Sequence, residues 1–157
     1  MVVMSNDELF KAATNGFAMY GALAKIIMEK HGEALVHEAV ALMGEASGPG
    51  SGEGFKQGVE RFASQLLESQ LAGGWTSDVK VEGNKVILTN YKCPCYAGMR
   101  AAGLSHEETR QMCMSWFSRF PDGAKSVNPN IKGYWIEKYR SPELDYCLEV
   151  FEAYKKT

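Results

Sequence analysis

Tyr91-Lys-Cys-Pro-Cys-Tyr96 divides a strand-like stretch from a helix-like one, and the fold follows from where that division falls. Upstream, Val86, Ile87 and Leu88 read as strand; downstream, residues 94–102 read as a helix ended by Gly103. Proline suits the first helical position, because its missing amide is not needed there and its φ already fits the helix. Cys93 is therefore the expected N-cap. A sulfur held there sees unpaired amide hydrogens and the positive end of the helix dipole, which favour thiolate over thiol. That makes Cys93 a candidate nucleophile or metal ligand, against the alternative that it packs as a small hydrophobe.

Outward from this step, Val79 and Val81, the turn Glu82-Gly-Asn-Lys85, and Val86 to Leu88 predict a hairpin. On the other side, Ser105-His-Glu-Glu108 has the form of a capping box and opens a helix carrying Met112, Cys113, Trp116 and Phe117. Pro121-Asp-Gly123 is expected to stop it. Residues 131–139, rich in aromatic and β-branched side chains, and residues 146–154, of alternating character, predict a second hairpin across Ser141-Pro-Glu.

The first half reads as helical. Ser5-Asn-Asp-Glu8 is a further capping box, followed at helical spacing by Leu9, Phe10, Ala13, Phe17, Tyr20, Leu23, Ala24 and Ile27, with an end near Gly32. Residues 33–43 repeat the pattern, and Gly44 with Ser47-Gly-Pro-Gly-Ser-Gly52 predicts a break and a flexible loop. No lysine paired with serine or threonine follows to make a phosphate loop. Phe55, Val59, Phe62, Leu66 and Leu67 predict a third helix that stops at Gly73-Gly74. The sum is an α+β fold: an antiparallel four-stranded sheet from two hairpins, helices packed on one face, and an N-terminal helical segment. Residues 1–157 are expected to form a single domain, 1–74 its helical part and 75–157 its hairpin-helix-helix-hairpin part.

Charge is nearly balanced, 17 basic against 19 acidic residues, and no basic stripe is present to neutralise a phosphate backbone. Nucleic acid is not an expected partner. The first residues lack a signal peptide's basic and apolar regions, and no stretch approaches a membrane span. The expectation is a soluble cytoplasmic protein with no membrane partner, its four cysteines serving as thiols, ligands or catalysts. A homo-oligomer stays open.

Cys113 on the later helix and Cys147 in the last strand could both reach Cys93. With Cys95, these sulfurs offer a donor set for a soft metal, zinc or iron, although structural zinc sites usually begin from cysteines two to four residues apart. Taken alone, Cys147 alternates with Leu148, Val150 and Tyr154 and reads as ordinary strand packing. His31 suits a helix C-terminus and His37 falls between apolar residues. His106, in a capping turn, is expected to point outward, its alternative role being a base for a thiol near Cys93. No helical zinc-enzyme motif pairs any of them. Trp75, Trp116 and Trp135, with Tyr91, Tyr96, Tyr134 and Tyr139, supply aromatic walls for core or for a small-molecule pocket, and Asn128 before Pro129 could offer an amide at its rim.

Tyr91-Lys-Cys-Pro-Cys-Tyr96, Cys113, Asn128-Pro-Asn-Ile131 and Asp145-Tyr-Cys-Leu-Glu-Val-Phe151 together resemble the L-2-amino-thiazoline-4-carboxylic acid hydrolase family. That family is similar to the 4-vinyl reductase type of small-molecule-binding domain. Lys30-His-Gly-Glu-Ala34 and Gly44 resemble its earlier helical part. The resemblance implies a ligand pocket and hydrolytic opening of a thiazoline ring at the carbon bearing the exocyclic amine; no cofactor is expected beyond the zinc or iron that the sulfurs could hold. Cys93, Cys113 and Cys147 would take the family's cysteine positions as catalytic residues, with Tyr91, Cys95, Trp116, Asn128 and Tyr134 lining the ligand. Cys95 is an additional thiol, and Trp116 stands where an acidic residue is expected. The alternative is a module that binds a small molecule or metal through its thiolates and supports a partner enzyme without turnover.

Overall fold

The computed structural model describes residues 4–154. Helix α1 (Asn6–His31) starts at the expected capping box, Ser5 accepting from Glu8 N–H while the Glu8 carboxylate accepts from Ser5 N–H. It ends at Gly32, whose φ of 87° breaks the helical path and leads directly into the next helix.

The second helix, α2 (Glu33–Lys56), overturns one expectation: it runs without interruption through Gly44 and the whole glycine-rich run. The reason lies in α5 (His106–Val127), which likewise continues past Pro121-Asp-Gly123. Gly44, Gly48 and Gly52 recur every fourth residue on one face of α2, and that face meets α5 backbone to backbone. A Cβ on Gly44 would fall 1.9 Å from the Trp116 carbonyl oxygen, and one on Gly48 would fall 2.4 Å from that of Phe120. From the other side, a Cβ on Gly123 would fall 1.9 Å from the Glu45 carbonyl oxygen. Pro49 lacks the amide that would hold this carbonyl. Each interior glycine costs a helix about 1 kcal/mol relative to alanine, a cost that close packing along two long helices offsets. Phe55, read as part of the third helix, belongs to the end of α2; helix α3 (Val59–Ala72) follows Gly58 and stops before Gly73-Gly74 as expected.

Strands β1 (Thr76–Glu82) and β2 (Lys85–Lys92) form the first hairpin, turning at Gly83-Asn84 with Glu82 opposite Lys85. Helix α4 (Pro94–Ala101) follows at the Cys-Pro-Cys step. Strands β3 (Ile131–Lys138) and β4 (Cys147–Ala153) form the second hairpin. The two merge through β2 and β4 into one antiparallel sheet of order β1-β2-β4-β3. Register places Asn90 opposite Cys147, Leu88 opposite Glu149 and Val86 opposite Phe151. Buried Val86, Leu88 and Asn90 therefore share one sheet face with Cys147, Glu149 and Phe151. Cys147 is thus in phase with Glu149 and Phe151 rather than with Leu148 and Val150, and Tyr154 lies beyond the strand, exposed.

Two apolar clusters hold the layers together. One joins Phe55 and Phe62 to Val86, Leu88, Phe120, Tyr134 and Phe151; the other joins Ala24, Val36 and Val40 to Met99, Leu104 and Met112. Both draw on residues before and after position 75. Among the described residues, no helix is long and apolar enough to cross a membrane.

Candidate thiol site

Cys93 caps α4 with extended backbone angles, and its sulfur accepts the Tyr96 amide at 3.3 Å, with Pro94 in the first turn. The helix itself therefore supplies a donor to this sulfur. The neighbouring Cys95 thiol, the Tyr96 amide and the Arg140 guanidinium together hold Cys93 below the ordinary thiol range, against burial and the Glu149 carboxyl. The neighbour does the reverse. Cys95 has Cys113 and Cys93 as neighbours, and those thiols with burial keep it protonated well above the usual value.

Cys147 completes the group from the sheet. Burial pushes its thiol up to about 11, although its sulfur accepts from the Arg140 amide at 3.4 Å. The neighbouring Cys93 adds to that rise. All four cysteines are free, and the structure brings them together from the α4 cap, α5 and β4. Cys93, Cys95 and Cys113 are each half-buried. Among the described residues, no set of three or more His, Cys, Asp or Glu side chains is arranged to hold a metal ion. The thiols suit zinc or iron in softness but are not placed as a ligand set.

Around the sulfurs stand Glu149, Asn90 and Arg140, which the sequence did not single out, and Tyr134, Tyr139 and Tyr96, expected as aromatic walls. The Glu149 carboxylate accepts from Asn90 Nδ2 at 2.7 Å and from the Tyr134 hydroxyl at 2.6 Å, and Asn90 Oδ1 accepts from Ser77 Oγ at 2.5 Å. Burial nevertheless raises Glu149, outweighing both donors. Arg140 lies 5.0 Å over the Tyr96 ring and donates through Nη2 to the carbonyls of Asn90 and Tyr91. Its Nε is buried without a partner. The Tyr139 hydroxyl is also buried and meets no partner of hydrogen-bonding geometry, although Cys113 lies close enough, after burial itself, to raise it. Orphaned buried polar atoms are rare in folded proteins, and two adjacent residues carry them here beside the same thiols.

His106 turns inward, contrary to expectation. Its Nδ1 lies 3.0 Å from the Tyr96 hydroxyl, and its ring is 5.9 Å from that of Tyr139. A capping-turn residue points inward here because two aromatic rings wait on that side. His37 bonds to Ser115 on α5, away from the sulfurs.

The other expected lining residues divide. Tyr134 joins the site through Glu149, and Cys113 and Cys147 are among its neighbours. Trp116 packs on the cluster of Met99, Leu104 and Met112, as Cys95 also does. Asn128 does not line a rim: it is buried at the end of α5, donating to the Gly52 carbonyl and accepting from the Asn130 amide. Tyr91 projects outward beside Tyr146 and is 47% exposed, since its strand position lies opposite in phase to Asn90.

Tyr20 links the thiols to open space. Burial raises its hydroxyl to about 12, with Cys95 and Cys113 as neighbours. The same side chain lines an apolar groove of about 290 Å³ between α1 and α2, shared with Leu23, Ile27, Val36, Val40 and Met43. A second, more polar hollow of about 470 Å³ lies over α2 and α5 at His37, Gln111 and Ser115. No family model, curated protein or solved structure matches the chain, so the thiazoline hydrolase resemblance rests on the motifs quoted above.

Proposed function

We propose that this chain is a cysteine-dependent hydrolase of small cyclic amidines of the 2-aminothiazoline-4-carboxylate type, with Cys93 as nucleophile. The observation that carries the reading is the meeting of a thiolate-favoured Cys93 with two unpartnered buried polar atoms, Arg140 Nε and Tyr139 Oη. A substrate carboxylate satisfies the Arg140 donor by a charge-assisted hydrogen bond. The ring carbon bearing the exocyclic amine is then open to Cys93. The new bond to sulfur weakens the ring carbon–sulfur bond, and the departing sulfur takes its proton from the Cys95 thiol. Amides of the first turn of α4 face the developing charge. Water adds to the same carbon and Cys93 leaves as thiolate. One water proton returns to Cys95 and the other goes to a nitrogen of the ring-opened urea.

The test is turnover of 2-aminothiazoline-4-carboxylate. Wild type is expected to release a free thiol and a urea, and Cys93→Ser to lose activity by on the order of a thousandfold or more, as nucleophile removal does elsewhere. Arg140→Gln is expected to raise KM more than it lowers kcat. A wild type that turns nothing over ends the hydrolase reading.

The second reading, a binding module, is favoured by the apolar groove at Tyr20 and by the neutral state of Cys95 and Cys147. A thermal shift on adding the same carboxylate, without turnover, would select it. Stoichiometric zinc or iron in protein purified without chelator would select its metal-binding form.

A further inference from the structure

We propose that Cys93 and Cys95 form a hydroperoxide-reactive dithiol, which closes to a disulfide and thereby removes the nucleophile from service. Two independent features of the geometry carry this. The Cys93 sulfur is half-buried, receives the Tyr96 amide and faces Arg140, which is the environment of an oxidation-prone thiolate. Cys95 stands in the first turn of the helix that Cys93 caps, one residue beyond Pro94 and close enough to act on the Cys93 thiol, so a resolving sulfur neighbours the one to be oxidised. No substrate is needed for the oxidation, which does not depend on the thiazoline reading; only the loss of a nucleophile from service rests on it.

The steps balance with the hydroperoxide as sole oxidant. Cys93 thiolate attacks the outer peroxide oxygen and the O–O bond breaks, leaving Cys93 as sulfenic acid while the remaining oxygen departs and takes a proton from solvent. Cys95 sulfur then attacks Cys93 sulfur, the S–O bond breaks, and water leaves with the Cys95 proton. Two thiols lose two electrons in all, and the peroxide gains them.

The experiment treats reduced, folded protein with hydrogen peroxide, blocks remaining thiols with iodoacetamide and maps tryptic peptides. Cys93–Arg100 forms one peptide and Gln111–Arg119 another, so the pairing can be read directly. The expected product is peptide Cys93–Arg100 lighter by two hydrogens and unalkylated, restored by dithiothreitol, with Cys113 and Cys147 still alkylated. In Cys95→Ser, dimedone is expected to trap a sulfenic acid on Cys93. In Cys93→Ser, oxidation of Cys95 should fall by on the order of tenfold or more, because the thiol is far less nucleophilic than the thiolate. Double alkylation of peptide Cys93–Arg100 after peroxide, or its cross-linking to Gln111–Arg119, overturns the proposal. Both outcomes in wild type stand whether or not the variants fold, and neither depends on turnover.

Discussion

The backbone amide of Tyr96 donates to the sulfur of Cys93 across 3.3 Å, so the first turn of α4 sets the charge state of the site. The bond exists because Pro94 starts the helix one residue after the sulfur. Cys147, two strands of chain away in sequence but adjacent in field, is held in the opposite state by burial.

That opposition gives a pH dependence. Cys147 rises in the folded state from 9.0 to about 11, so its protonated form is favoured by folding. Its contribution is full below the unfolded value and is lost as pH climbs toward the folded one. Chemical denaturation of wild type and Cys147→Ala should show their stability gap shrinking by about 2 to 3 kcal/mol between pH 8 and pH 11.5. A constant gap would refute the burial argument.

The glycine stripe predicts a sharp positional contrast. Gly44→Ala and Gly123→Ala drive a methyl into backbone of the facing helix, and each should cost about 3 kcal/mol or more, at the upper end of overpacking penalties. Gly50→Ala meets nothing within 4 Å and should stabilise by up to about 1 kcal/mol through helix propensity. Thermal unfolding of the three variants checks both signs.

Asn128 ties the end of α5 to α2 rather than touching a ligand. Asn128→Ala strands the Gly52 carbonyl and should cost about 1 to 3 kcal/mol in stability, leaving KM for any substrate unchanged in the protein that remains folded. A selective KM effect would restore it to the site.

Tyr134→Phe removes one of the two donors to Glu149 and should destabilise by about 1 to 3 kcal/mol at pH 7. Burial raises Glu149, so its neutral form is favoured in the folded state. The loss should therefore be smaller in acid, where the carboxyl is protonated and needs less support. Denaturation at pH 4.5 and pH 7 distinguishes this from a pure packing effect, which would be equal at both.

Local chemistry made much of the architecture readable. Ser5 and Ser105 announce their helices because each capping box is complete within four residues, and Gly83-Asn84 announces its hairpin in the same way. The run Ser47–Gly52 misleads for the converse reason: glycine and proline discourage a helix locally, and only the close approach of α5, many residues later, makes small residues necessary there. At the site, the Cys93 cap was legible from Pro94. Tyr139 was legible only as an aromatic wall and Arg140 not at all, since a residue at the end of a strand carries no periodic signal for what it meets across the fold. Glu149 had one available clue, its two-residue offset from Cys147, which puts both on one sheet face.

The most direct test of the account is the rate at which iodoacetamide labels Cys93 in folded wild type as pH is varied, followed on peptide Cys93–Arg100 with fragment-level assignment. The account predicts an inflection below the ordinary thiol value of about 8.5. An inflection at or above that value, or a Cys93 that stays unlabelled until the protein unfolds, would contradict it.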